Sequence, residues 1–86
     1  LMEEIKIGQV THYFSRAGVA AIKILEGTLA MGDTIHILGK TTDFQQKVES
    51  MQIEHQPIQI ARAGDDVGIK VNSPVKEHDI VYKVTS

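Results

Sequence analysis

A chain of 86 residues makes one domain, and with no cysteine its core has to hold without disulfides or thiolate-bound metal. Nine basic against eleven acidic side chains give a formal charge of -2, so the basic surplus typical of phosphate-binding domains is missing. No tryptophan, two tyrosines and two phenylalanines are few for a base-stacking platform, and no apolar run is long enough to span a bilayer.

Apolar positions alternate along the chain, which is the period of strands. Ile5 and Ile7 share one parity while Val10 and Phe14 share the other, so the first strand needs an extra residue, placed at Gly8 as a bulge. Beyond the turn Ser15-Arg16-Ala17-Gly18, a second strand from about Val19 to Ile24 points Ala20, Ile22 and Ile24 inward. Glu26 to Asp33 reads as turn chemistry ending in Gly32-Asp33, and the third strand then has Ile35 and Ile37 inward, with Thr34 and His36 outward. A long fourth strand, from about Phe44 to His55, moves its apolar face from Phe44 and Val48 to Met51 and Ile53, which predicts a bend near Ser50. Gln56-Pro57 reads as a turn. The stretch Pro57 to Arg62 has room for one helical turn at most, with Ile58 and Ile60 placed to plug a barrel end. A second Gly-Asp turn, Ala61-Arg62-Ala63-Gly64-Asp65-Asp66, precedes a fifth strand with Val67, Ile69 and Val71 inward. The sixth strand has Ile80, Tyr82 and Val84 on one face.

Six short strands, two of them bent, predict an all-β fold: one domain over 1–86, with a small six-stranded closed antiparallel barrel over about 5–84. Truncation of Ile22, Ile35, Val48 or Ile69 to alanine should cost the most, about 2–5 kcal/mol each.

Several stretches carry a family resemblance. They are Val10 to Phe14, the turn to Gly18, Val19 to Ile24, Met31-Gly32-Asp33, Val48 to His55, and Arg62-Ala63-Gly64-Asp65-Asp66-Val67-Gly68-Ile69. Together, over roughly Ile7 to Val84, they resemble the second domain of the translation GTPases such as elongation factor Tu. The resemblance covers the barrel alone, with no nucleotide-binding domain. It implies contact with the terminal adenosine of aminoacyl-tRNA or with ribosomal RNA. By position it assigns the adenosine-side carboxylate to Gln52, the basic residue beyond it to His55 and the apolar wall to Val67 and Ile69. Ile22 stands where the family usually has glycine, and the second-strand turn is one residue shorter. A weaker similarity links the chain to the barrel appended to collagenase-like peptidases.

Local clusters add candidates. His12, Tyr13 and Arg16 at a strand end are suited to stacking on a base and reaching a phosphate; their ordinary reading is core packing and a solvated turn. Lys40, in the polar loop Gly39 to Phe44, and Arg62 are further phosphate contacts, although the loop lacks the spacing of a nucleotide-binding loop. Glu49, Gln52, Glu54 and His55 read as the wet face of the fourth strand. The histidines His12, His36, His55 and His78 lack metal-ligand spacing, and no serine has a nucleophile context, so neither a metal, a cofactor nor catalysis is expected. The sequence reading is a non-enzymatic, cytoplasmic binding module docking tRNA, ribosomal RNA or a ribonucleoprotein, with no membrane association. The alternative is a protein–protein adaptor or accessory recognition module beside an enzyme such as a collagenase-like peptidase, with an exposed apolar patch around Leu29, Met31 and Ile58.

Overall fold

The computed structural model describes residues 2–86. Its strands are β1 (Glu3–Phe14), β2 (Val19–Ile24), β3 (Thr28–Ala30), β4 (Thr34–Leu38), β5 (Asp43–Lys47), β6 (Gln52–Ile53), β7 (Gln56–Pro57), β8 (Ile60–Arg62), β9 (Asp66–Lys70) and β10 (Ile80–Thr85). Eight pair in the order β5-β4-β10-β1-β2-β9-β6-β7, and β3 pairs with β8. Every pairing is antiparallel. The sequence reading predicts six strands in a closed ring; the strands observed are more numerous, and the outer members β5 and β7 of the larger sheet each have one neighbour. One apolar cluster fills the interior, drawing Ile7 and Val10 from β1, Ala20, Ile22 and Ile24 from β2, Leu29 from β3, Ile35 and Ile37 from β4, Val67 and Ile69 from β9 and Val81 from β10. Burial of such side chains, each worth about 1.5–3 kcal/mol before ordering costs, is what holds the sheets around it.

β1 is irregular because both of its edges carry a register shift. Against β10 the shift falls between Lys6 and Gly8, making Ile7 the extra residue, so the bulge expected at Gly8 sits one position earlier. Against β2 a second shift falls between Val10 and His12, with Thr11 extra. The two shifts let Ile7 and Val10 both reach the core while Ile5 and Phe14 are left exposed, which corrects the expected inward faces of Ile5 and Phe14.

The expected fourth strand, Phe44 to His55, is broken into β5 and β6. After Lys47 the chain leaves β4 and docks on the turn before it, where Val48 N donates to Asp33 O and Gly32 N donates to Val48 O. Gln52 and Ile53 then fold back on Pro57 and Gln56, so that Gln56-Pro57 is a strand and the reversal is made by Glu54-His55. The two segments read as turns, Thr28–Ala30 and Ile60–Arg62, pair as strands, and Leu29 and Ala61 face each other fully buried. Ile58 and Ile60, expected as core plugs, are not in the core: Ile58 only packs against it and Ile60 is exposed. On β10, Ile80, Tyr82 and Val84 share one half-buried face, and Val81, opposite Ile37, is the buried core residue.

A buried glutamine spans the gap beside β5. Gln46 Nε2 donates to Lys70 O at 2.9 Å and Gln46 Oε1 accepts from Asn72 N at 2.7 Å, tying β5 to the end of β9. The buried Asp79 closes the turn before β10, its Oδ2 accepting from Lys76 N at 2.8 Å.

Candidate functional site

The outer face of β1, β2, β9 and β6 carries a groove whose origin lies in cross-strand register. His12 opposes Ala21, Ala21 opposes Gly68, and Gly68 opposes Gln52. Two small residues thus sit side by side at the centre of a row with larger ones at its ends, and opposed residues on neighbouring strands share a face. Next to this row Phe14 opposes Val19. The result is a hollow of about 330 Å³ with Ala17, Val19, Ala21, Val67 and Gly68 beneath Phe14.

Its polar rim is Gln52, Glu54, His55 and Asp66, with no lysine or arginine among the lining residues. Lys23 reaches Asp66 Oδ2 at 3.4 Å, an exposed pair of small energetic weight. Phe14 is 51% exposed, and its ring meets His12 edge-on with centroids 4.5 Å apart. The rim is shaped by the β6–β7 reversal, where Glu54 and His55 have φ of 49° and 66°. A second hollow of about 480 Å³ shares Ala17, Val19 and Gln52 with the first and extends past Met31, Met51, Ile58 and Lys70.

Of the residues picked from sequence, Gln52, His55 and Val67 line the groove and His12 packs on its Phe14 wall. Tyr13 turns the other way, half-buried against the core. Ile69 is fully buried in the interior, so it cannot form the apolar wall assigned to it. Arg16 lies in the exposed β1–β2 turn, whose lining member is Ala17; Lys40 lies in the β4–β5 turn; and Arg62 lies on β8. These three cations are therefore spread over separate elements instead of gathered on the groove. The expected apolar patch is also different: Leu29 is buried, and Met31 and Ile58 are half-buried at the second hollow. Sequence reading missed Phe14, Ala17, Val19, Ala21, Glu54, Asp66 and Gly68 as groove residues. The signal was the pair of small residues, Ala21 and Gly68, in otherwise bulky strands, and it needs the register to be read.

A separate cluster braces the opposite part of the sheet. His36 Nδ1 meets Glu4 Oε1 at 2.7 Å and His36 Nε2 meets Asp43 Oδ1 at 2.6 Å, linking β4 to its neighbour β5 and, across β10, to β1. With a carboxylate at each ring nitrogen the imidazolium is favoured. The His36 pKa is raised above its ordinary 6.5, by the hydrogen bond to Glu4 first and that to Asp43 second, while burial opposes both.

A model of elongation factor Tu domain 2 matches residues 17–81, and the chain belongs to that family. It is 44% identical over 80 residues to an uncharacterized protease of Methanocaldococcus jannaschii, covering 92% of this chain and 19% of that protein. It is 39% identical over 82 residues to a collagenase of Porphyromonas gingivalis, covering 94% of this chain and 20% of the collagenase. The chain thus spans about a fifth of the length of these relatives. Among solved structures, the C-terminal domain of a Geobacillus thermoleovorans U32 peptidase superposes with a TM-score of 0.85 at 23% identity, over 92% of this chain and 91% of that one. At that identity the likeness shows the fold.

Proposed function

We propose that this chain is a non-catalytic recognition domain that works beside a peptidase. The observation that carries this reading is the 44% identity to a protease of which the matched segment is a small part. A peptidase supplies its own cleavage machinery, and what a small β domain adds is a surface. The groove is such a surface, with an apolar floor and hydrogen-bonding rim, and one fold of this kind hosts many roles. For RNA, the reading drawn from the translation-factor resemblance, the groove offers carboxylates at Glu54 and Asp66 where a phosphate needs cations. Arg16, Lys40 and Arg62 do not line it.

The test is calorimetric titration of this chain into the Porphyromonas gingivalis collagenase made without its matching segment, with tRNA titrated in parallel. Saturable binding to the truncated collagenase and none to tRNA is expected. Salt-sensitive binding to tRNA with no heat from the protein would overturn the reading and restore the RNA one.

A further inference from the structure

We infer that the groove takes an apolar side chain from a positively charged polypeptide segment, an assignment that rests on the recognition-domain reading and names its ligand class. The groove's shape, charge and backbone conformation converge on it.

Its depth comes from missing side chains. A β-carbon on Gly68 would lie 3.3 Å from Val19 Cγ1 and 3.5 Å from Gln52 Cγ, so the floor is as low as a strand can make it. Glycine within a strand marks a place where another group comes close to the backbone. Phe14 supplies the wall with its ring half in solvent, meeting His12 edge-on and not sunk in the core. A volume of about 330 Å³ suits one side chain and its flanking backbone.

Charge selects among apolar ligands. Glu54 and Asp66 stand on the rim, Asp66 holds only a loose exposed pair with Lys23 at 3.4 Å that a ligand cation can replace, and no lysine or arginine lines the hollow. A ligand with Lys or Arg beside its anchor places ammonium or guanidinium against these carboxylates; a polyphosphate or acidic peptide meets repulsion.

The rim is also held in an unfavourable backbone conformation. A two-residue reversal between Ile53 and Gln56 needs positive φ at both central positions, which Asn-Gly adopts readily, and here the residues are Glu54 and His55. Both of these costly residues line the groove. Strain of this kind gathers at ligand clamps.

Fluorescence anisotropy decides the matter with three labelled probes: a short peptide with a central Leu flanked by Lys and Arg, its twin with Glu at the flanking positions, and an oligoadenylate. The basic peptide should bind in preference to the other two. Phe14→Ala should weaken it about tenfold, as loss of an interface anchor does. The double variant E54K/D66K should shift preference toward the acidic twin. The turn variant E54N/H55G should melt at a higher temperature and bind the basic peptide less well, an outcome that a purely structural turn does not give. Equal binding of both peptides, preference for oligoadenylate, or a stabilised turn variant with unchanged affinity would overturn the assignment. If the truncated collagenase binds and no peptide does, the groove assignment fails and the recognition reading survives. If the basic peptide binds and the collagenase does not, the ligand class survives and the peptidase partnership fails.

Discussion

At Gly8, a single methyl group is excluded by the backbone. A β-carbon there would run into the carbonyl oxygen of Lys23 on the neighbouring strand, and Ile22 Cγ2 closes in at 3.2 Å. Gly8→Ala is expected to cost about 1–3 kcal/mol, the usual penalty for overpacking, measured as a lower urea midpoint with unchanged slope. His36 makes a different residue-scale prediction. Its folded pKa lies above the unfolded value, so its stabilising contribution is complete below about pH 6.5 and is lost as pH rises through the folded value. Urea midpoints should therefore fall as pH increases from about 6.5, and His36→Gln should flatten that part of the profile. Inward positions such as Ile22, Ile35, Val48 and Ile69 were readable from alternation, and all are buried to within 1%. Phe14 was not readable, because an unpaired Thr11 between Val10 and His12 turns every later β1 side chain over.

The β6–β7 hairpin is the element on which sequence signals and structure part most clearly. Hairpin loops of two residues are recognised by Asn-Gly or Asp-Gly, and Glu54-His55 gives no such cue, so Phe44 to His55 reads as one bent strand. A left-handed conformation costs a residue with a β-carbon about 1–2 kcal/mol, and replacing the turn with Asn-Gly should return about that much stability in thermal or urea unfolding. β3 and β8 escaped detection for another reason: with three residues each they are too short for a period to emerge, and their partnership joins Leu29 to Ala61 across a long stretch of chain. The adjoining turns were visible all the same, since Gly32 and Gly64 have φ of 89° and 99°, the region that glycine occupies freely.

For the molecule as a whole, the all-β class and the elongation factor Tu domain 2 family were legible, because alternation and Gly-Asp turns survive in the sequence. The manner in which the sheet is fastened was not, since it depends on a glutamine side chain. Gln46 gives and receives hydrogen bonds at backbone groups of Lys70 and Asn72, and no periodicity distinguishes it from a solvated Gln. Gln46→Leu leaves Asn72 N–H and Lys70 O without those partners, so a loss of about 1–3 kcal/mol is expected. Hydrogen exchange would show it as reduced protection of the Asn72 amide.

The place of β10, between β4 and β1 with Thr85 opposite Glu3, governs how the domain comes into being. β1 cannot complete its pairing until β10 arrives, and β10 also brings Val81, a fully buried core residue. Closing so long a loop makes folding slow for the chain's size, and until it closes β1 and β4 have no shared neighbour. There is no folded half to serve as a refuge: the apolar faces of β1, β2 and β4 stay uncovered until β10 docks between them, and the core then closes in one cooperative event.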